Sequence, residues 1–255
     1  MKKNRPIILI SNDDGVDAKG IHELAKVASK VGKVVVVAPD RVRSGMSSAL
    51  THGEKLALQL VEEQDSCTFY ACNGTPVDCV KVAFFRLFRE MQPDLVLSGI
   101  NHGSNSSVNC LYSATVGAAM EGCVNNVPSI AFSLCDHSDE ADFSSCLPFV
   151  EDIIDKVLSK GLPYATFLNV NFPKGPIGGV KVCRQSDARW SEEFNEYHLT
   201  NGESRYELAG YFDNREPQAT DTDEWALSHR FVSIVPTKID MTNYQALNQL
   251  KEIYE

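Results

Sequence analysis

The sequence lacks long hydrophobic runs. Its longest uninterrupted apolar stretch is VVVVA at 34–38, whereas a membrane-spanning helix needs about 20 apolar residues. The apolar run after Pro6 has only four residues before Ser11, too few for the roughly 7–15 residues of a secretory signal core. We therefore predict a cytoplasmic protein with no membrane partner.

Positive charge is also scarce. The chain carries 24 Lys and Arg against 34 Asp and Glu, a formal net charge of -10. Binding to nucleic-acid polymers depends on many contacts between basic side chains and phosphates. The charge balance argues against such a partner, but it leaves room for a small phosphorylated substrate held at a local site.

The usual zinc-site spacings are missing. None of the eight cysteines forms C-x-x-C, and the six histidines form no H-E-x-x-H pattern. Zinc sites and metalloprotease sites depend on such spacings. We predict that the cysteines are reduced, partly buried thiols.

The order of hydrophobic segments predicts an α/β fold. Buried parallel strands are expected at IILIS, KVVVVAP, PDLVLSGIN, VPSIAFSL and ATFLNVNFP, with helical patterns between most of them. LALQLV and CTFYACNG are expected to form two further strands, as a hairpin. This order is typical of a Rossmann-like, doubly wound, mostly parallel sheet.

The pattern of the sequence changes near Gly175, from alternating strand and helix segments to short hairpin-like segments. We predict an α/β catalytic core at 1–174 and a β-hairpin-rich extension at 175–255 that is not an independent domain. GVKVCRQS, EEFNEYHLT, SRYELAGYF and RFVSIVPTKID resemble hairpin segments, and a final helix is expected at about Asn243–Ile253. The hairpins have little core of their own, so we predict that this C-terminal arm joins subunits in a homodimer or homotetramer.

Polar residues cluster where three of the predicted strands end. The clusters are Asn12, Asp13 and Asp14; Asp40, Arg41, Arg43 and Ser44; and Ser98, Gly99, Asn101 and His102. The carboxyl ends of parallel strands meet at one edge of a sheet, where ligands of this fold class bind. We therefore expect the three clusters to lie together.

Two adjacent carboxylates repel each other unless something offsets their charge. Carboxylate, hydroxyl and amide oxygens are ligands typical of Mg²⁺, Mn²⁺ or Ca²⁺. A bound cation is one explanation for Asp13 and Asp14. The alternatives are that the aspartates, Ser44 and Asn101 form turns or helix caps, and that His102 is a surface residue.

A phosphate site also needs amide donors. The segments SGMSS at 44–48 and YSAT at 112–115 offer small residues with accessible amides. The second segment opens a predicted helix, whose N-terminus favours an anion. Ser113 and Thr115 are also suited to plain helix capping, and the two interpretations are compatible.

Five collinear motifs resemble one known family. SNDDGVDAKGI, APDRVRSGMSSALT, GTPVDCV, PDLVLSGINHGSN and YSATVGAAMEG are similar to the SurE (stationary-phase survival) nucleotidases, with a weaker echo in ATDTDEWALSHRFVSIVPTKIDMT. The resemblance implies a Rossmann-like phosphatase that depends on one divalent cation per subunit and exchanges its C-terminal arm between subunits.

The resemblance also implies roles for particular residues. The metal ligands would be Asp13, Asp14, Ser44 and Asn101. The phosphate contacts would come from Asn12, Gly45, Ser113, Ala114 and Thr115. At Ala114 the family usually has glycine, so the methyl group is expected to crowd the phosphate or to require a different φ.

The resemblance thus implies a 5'-nucleotidase, an acid-type phosphatase acting on nucleoside 5'-monophosphates; whether it also cuts 3'-monophosphates or short polyphosphate is left open. Water would attack phosphorus in line, with Asp13 and Asp14 in the catalytic centre and His102 assisting the leaving alcohol. Asp14 as a covalent nucleophile is the minority alternative. The alternative from another class is a nucleotide sensor that binds without turnover.

Two enzymatic rivals fit less well. Nucleotide-sugar transferases and haloacid-dehalogenase-type phosphatases need D-x-D patterns, which NDDG does not supply. DTD at 221–223 has that spacing, but we expect it to lie in the extension, away from the strand ends.

Overall fold

The computed structural model describes residues 5–138 and 140–255. Its strands are β1 (Ile7–Ser11), β2 (Lys33–Pro39), β3 (Leu58–Gln64), β4 (Cys67–Cys72), β5 (Leu95–His102), β6 (Ser129–Leu134), β7 (Thr166–Phe172), β8 (Gly179–Val182), β9 (Ala188–Ser191), β10 (Phe194–His198), β11 (Ser204–Leu208), β12 (Tyr211–Asn214) and β13 (Phe231–Lys238). Its helices are α1 (Lys19–Val31), α2 (Pro76–Arg86), α3 (Ala114–Val124), α4 (Leu147–Lys160), α5 (Asp223–Ser228) and α6 (Tyr244–Tyr254), with a 3₁₀ helix at Ser107–Leu111.

A nine-stranded sheet forms the centre of the fold, in the order β3-β4-β2-β1-β5-β6-β7-β13-β8. The six strands from β4 to β7 are mutually parallel. The chain moves from β1 outward through β2 to β4 and later returns to β5 on the other side of β1. The carboxyl ends of β1 and β5 therefore form a topological switch point, where ligands of open α/β sheets bind.

The buried strands have the composition that this position requires. β1 and β2 are rich in Ile and Val, because strands covered on both faces are apolar throughout. Helices α1 and α4 cover one face of the sheet, and α2 and α3 cover the other. Helix α2 begins with a capping box between Thr75 and Asp78 and with Pro76 in its first turn.

The predicted Rossmann-like, mostly parallel sheet is confirmed, as are the β3–β4 hairpin and the final helix. β5 extends to His102 because its pairing with β6 shifts between Ser98 and Asn101. GVKV and RFVSIVPTK were wrongly predicted as hairpins. They form β8 and β13, which are parallel to each other and extend the central sheet.

The remaining extension is a nested β-ribbon, the arm (residues 187–215). β10 pairs antiparallel with β11 at its tip, and β9 pairs antiparallel with β12 nearer its base. The chain re-enters the main body through helix α5, which the hydrophobic pattern did not predict. Within the described residues, no helix is both long and apolar enough to cross a membrane.

Candidate active site

A tight turn follows β1 and fixes the two aspartates. The side-chain nitrogen of Asn12 donates to the carbonyl oxygen of Gly15 at 2.8 Å. Gly15 has φ +101°, a conformation that L side chains rarely adopt. The turn leaves Asp13 4 % exposed and Asp14 half-buried at the switch point.

Asp13 joins two other parts of the site. Its Oδ1 accepts a hydrogen bond from the hydroxyl of Thr115, and its main-chain oxygen accepts one from the amide of Arg43 at 2.7 Å. Burial raises the pKa of the Asp13 carboxyl to about 7; the Thr115 bond opposes this rise and the charge of Asp14 adds to it. The carboxyl pair therefore resists full ionisation unless a positive charge is nearby.

Asp14 faces β5. Its Oδ2 accepts a hydrogen bond from the amide of His102 at 3.3 Å. Burial raises the pKa of the Asp14 carboxyl, and this amide opposes the rise. The ends of β1 and β5 are therefore joined through a carboxylate.

Asn101 is 9 % exposed, and its side-chain nitrogen donates to the carbonyl oxygen of Gly103 at 2.9 Å. Because its side-chain nitrogen bonds to Gly103, the side-chain oxygen of Asn101 points away from Gly103. This arrangement suits a ligand oxygen for a hard cation.

The ring of His102 is held from two sides. Its Nδ1 lies 3.1 Å from the carbonyl oxygen of Ser138, and its edge packs on Phe143 with the ring centroids 5.0 Å apart. A carbonyl partner requires a proton on Nδ1, so a neutral ring has an unprotonated Nε2. His102 can therefore protonate a leaving group through Nε2 only as an imidazolium.

The loop at 44–48 packs against the start of α3. The amide of Ser47 donates to the carbonyl oxygen of Tyr112 at 3.1 Å, and its hydroxyl donates to that of Leu111 at 2.7 Å. Gly117 permits this approach, because a Cβ there would lie 2.6 Å from the carbonyl oxygen of Ser47. Ser44 and Gly45 stay exposed at the mouth of the site.

The N-terminus of α3 offers free amides. The hydroxyl of Ser113 accepts from the amide of Val116 at 3.1 Å, so Ser113 caps the helix. In the described ranges, the amides of Ala114 and Thr115 have no acceptor. Such amides, together with the helix dipole, favour an anion.

The methyl group of Ala114 fits this helix start. Ala114 is the first residue of α3, is fully buried and has no positive φ. The helix therefore accepts alanine without the left-handed conformation that only glycine adopts readily.

Several buried oxygens lie close to the aspartates without partners. In the described part of the chain these are Oδ1 of Asn12 and the hydroxyl oxygens of Ser11 and Ser98. Ser11 and Ser98 are paired across β1 and β5, directly before the site residues. The two carboxylates and the amide oxygens of Asn12 and Asn101 form an oxygen-only donor set, which fits a hard divalent cation.

The three predicted clusters thus meet at one sheet edge. Asp13 accepts from Thr115, Asp14 accepts from His102, and the amide of Arg43, next to Ser44, donates to Asp13.

One expectation was wrong: DTD at 221–223 is not remote from this edge. Asp223 is buried and its Oδ2 accepts from the amide of Ser107 at 2.7 Å, in the loop that follows β5. Hydrophobic periodicity does not predict this contact. The weak similarity of the C-terminal segment to the family was the only sequence feature that pointed to this region.

The chain is similar to known proteins over nearly its whole length. The family described as "Survival protein SurE" matches residues 8–192. A 5'-nucleotidase SurE of Phocaeicola vulgatus is 47% identical over 252 residues, covering 98% of this chain and 98% of that protein. A 5'-nucleotidase SurE of Cytophaga hutchinsonii is 46% identical over 250 residues, covering 97% of this chain and 96% of that protein.

A solved structure agrees as well. The crystal structure of the SurE protein from Aquifex aeolicus superposes with a TM-score of 0.85 at 37% identity, and the match covers 98% of this chain and 100% of that one. Both the sequence and the fold match over almost the whole chain. The protein described here belongs to the SurE family.

Proposed function

We propose that this protein hydrolyses nucleoside 5'-monophosphates to nucleoside and phosphate with the aid of one divalent cation per subunit. One observation carries the proposal: the buried carboxylate of Asp13, next to that of Asp14, accepts a hydrogen bond from Thr115 in the first turn of α3. A site for a cation and a site for a phosphate therefore adjoin. The relatives named 5'-nucleotidase SurE support this substrate class.

Asp13, Asp14, Ser44 and Asn101 would hold the cation, which is Mg²⁺, Mn²⁺ or Ca²⁺ by donor type. When bound, such a cation supplies charge compensation and polarises a phosphoryl oxygen. The unpartnered Oδ1 of Asn12 and the resistance of the carboxyl pair to ionisation both support a cation here.

Free amides would hold the phosphate. Those of Ala114 and Thr115 point out of the helix start, and the exposed backbone at Gly45 faces the same mouth. These donors are fixed before substrate arrives, so they stabilise charge on the equatorial oxygens without reorganisation. The hydroxyls of Ser113 and Thr115 are already engaged, and we therefore assign their contribution to the backbone.

Water attacks phosphorus in line, a new P–O bond forms, and the bond from phosphorus to the ribose oxygen breaks; the protons of the water stay on the phosphate product, which returns one to His102 after the alcohol is protonated. His102, as an imidazolium, gives its Nε2 proton to the leaving alkoxide. We expect His102→Gln to slow nucleotide hydrolysis about 10²-fold or more and hydrolysis of p-nitrophenyl phosphate much less, because nitrophenolate needs no proton. Equal losses for both substrates would contradict this role.

Asp14 as a covalent nucleophile is the alternative route. A single turnover in ¹⁸O-labelled water, followed by mass spectrometry, tests for this route. Label entering the peptide that contains Asp13 and Asp14 would favour it, because water then attacks the carbon of an acyl phosphate, whereas direct attack labels only the released phosphate.

The main test measures phosphate release from nucleoside 5'- and 3'-monophosphates and short polyphosphate, each with Mg²⁺, Mn²⁺, Ca²⁺ or a chelator. We expect release from 5'-monophosphates that the chelator abolishes. Tight nucleotide binding with no release under any metal would instead identify a sensor. Release that persists in chelator would contradict the cation.

We also propose that the arm and α6 join subunits into a homodimer or homotetramer. On one face of the arm, Phe194 lies opposite Leu208, and Tyr206 is next to that pair. These side chains are 61%, 74% and 64% exposed. None of the α6 side chains is buried, although Tyr244, Leu247, Leu250 and Tyr254 lie along one side of the helix. Apolar faces of this kind are typical of subunit contacts.

A cytoplasmic location is part of the proposal. All eight cysteines are free thiols, and six of them are buried. Oxidising compartments favour disulfides in cysteine-rich chains. Free nucleotide substrates fit the same compartment.

A further inference from the structure

One loop connects the two halves of the candidate site. It leaves the end of β5 after His102, forms the 3₁₀ helix at Ser107–Leu111, and reaches Ser113 at the start of α3. We call residues 103–113 the bridging loop. The position of the α3 amides relative to Asn101 depends on its shape.

The first half of the bridging loop is fixed to the sheet through Asn105. The amide of Asn105 donates to Oδ1 of Asn171 at 2.8 Å, and its side-chain nitrogen donates to the hydroxyl of Ser133 at 2.8 Å. Its carbonyl oxygen accepts from Asn169 at 2.8 Å. All three partners are buried in β6 and β7.

The second half is held from the base of the arm by Asp223. This carboxylate is 1% exposed and accepts three backbone amides, those of Ser107 at 2.7 Å, Ser186 at 2.9 Å and Glu224 at 2.9 Å. Ser186 precedes the arm and Asp223 follows it. One carboxylate therefore joins both ends of the arm to the bridging loop.

Three further contacts reinforce the same junction. Oε1 of Glu224 accepts from the hydroxyl of Ser106 at 2.5 Å. The hydroxyl of Ser107 donates to the carbonyl oxygen of Ser186 at 2.9 Å. The indole nitrogen of Trp190, in β9, donates to Oδ1 of Asn109 at 2.8 Å.

We propose that Asp223 and Glu224 are positioning residues, which hold the bridging loop so that the α3 amides face the carboxylates of β1. Neither residue contacts Asp13 or Asp14 in the described hydrogen bonds. Their effect passes through Ser106 and Ser107, two residues whose own side chains are buried. This assignment rests on the proposed nucleotidase function, because it concerns the same site.

The proposal has a chemical basis in the geometry of Asp223. Its Oδ1 accepts from Ser186 and Glu224, and its Oδ2 from Ser107. Asparagine has the same shape but presents an NH₂ group in place of one oxygen, which must face an amide donor. Asp223→Asn therefore breaks at least one of the three hydrogen bonds to this side chain without leaving a cavity.

The test compares Asp223→Asn with Asp221→Asn in the full-length protein. Asp221 lies two residues earlier, is exposed, and pairs with Arg184 at 2.9 Å. We expect Asp223→Asn to lower kcat about 10–100-fold, the usual effect of losing a residue that orients site groups, with a smaller change in KM. Hydrogen exchange of peptides within 103–113 should become faster, while Asp221→Asn leaves both kcat and exchange unchanged.

Two readouts separate the possible failures. If the wild-type protein releases no phosphate, the proposed function fails. Hydrogen exchange in residues 103–113 still tests whether Asp223 holds the bridging loop. If the wild type is active but Asp223→Asn keeps its kcat, the positioning role is overturned, whatever the exchange shows. Unchanged exchange overturns it as well.

Glu224→Gln and Ser106→Ala keep the test possible if Asp223→Asn does not fold. Their single and combined effects on kcat form a double-mutant cycle. Non-additive effects are expected for residues that act through one hydrogen bond. Additive effects would overturn the assignment for Glu224.

Discussion

At Asp13, burial and a neighbouring carboxylate act in the same direction. Both raise the pKa of this carboxyl, which reaches about 7, against the opposing effect of hydrogen bonds from Thr115 and from the backbone amide of Asp13. An aspartate that only forms a turn would be expected to be exposed to solvent, where its negative charge costs little free energy. The sequence pattern left turn and cation sites open as alternatives, and the burial of Asp13 favours the cation.

We expect Asp13→Asn to reduce phosphate release to background while the protein stays folded. Asparagine still accepts the bond from Thr115 but removes the charge that a cation needs. Thermal unfolding adds a readout without turnover: Mn²⁺ should raise the Tm of the wild type by mass action and have little effect on the variant. Asp17→Asn, which changes an exposed carboxylate of the same segment, is the control. Full activity in Asp13→Asn would contradict the site.

Thr115 has a second role that its sequence context did not reveal. Its hydroxyl was expected to cap a helix or contact phosphate, but it donates to Asp13. Thr115→Val keeps the shape and removes this donor, so we expect kcat to fall about 10–100-fold. Thr115→Ser should restore most of the activity because it restores the hydroxyl. A loss in Thr115→Ser as large as that in Thr115→Val would show that the hydroxyl alone does not restore activity and would contradict this role.

At the level of elements, continuous apolar runs predicted the parallel strands, and apolar residues at helical spacing predicted the helices between them. They work because β1, β2 and β5 are buried on both faces, so apolar runs and polar strand ends are sharply separated. The patterns failed at β8, β13 and α5. β8 has four residues and α5 has six, too few to show a clear period. The pattern of β13 identifies a strand but does not show which strands it pairs with.

The site was predictable where it consists of neighbours in sequence and unpredictable where it depends on distant contacts. Asp13 and Asp14 follow β1 and Asn101 lies at the end of β5, and these positions made them candidates. The bond from Asp223 to Ser107 spans 116 residues. Nothing local in DTDEW indicates that its aspartate is buried.

The contact between the 44–48 loop and α3 depends on Gly117. A methyl group there would lie 2.6 Å from the carbonyl oxygen of Ser47, so the loop must move away from the helix. We expect Gly117→Ala to lower kcat/KM at least about tenfold, because reacting groups lose their alignment. Steady-state kinetics with a nucleoside 5'-monophosphate measures this. Unchanged kinetics would mean that the 44–48 loop does not shape the phosphate site.

At the scale of the whole molecule, the exposed apolar face of the arm predicts that subunits associate into an oligomer. Replacing Leu208, on the apolar face of the arm, with glutamate places charge where a partner subunit should pack. We expect size-exclusion chromatography with light scattering to show smaller particles for Leu208→Glu than for the wild type. Val61→Glu, on the exposed strand β3, should leave the particle size unchanged. A wild type that is already monomeric at micromolar concentration would contradict the proposed oligomer.

The position of β13 between β7 and β8 has a consequence for synthesis on the ribosome. Strands β1, β2 and β5 and the start of α3 are all made within the first 124 residues, but β13 follows only at 231–238. Until then the outer edge of β7 has no neighbour, and β8 has no strand to pair with. Domains form from the N-terminus as the chain emerges, and an open, apolar strand edge recruits other chains. Polypeptides released before residue 231 therefore contain every residue proposed to touch cation or phosphate, yet they should aggregate instead of acting as a smaller enzyme.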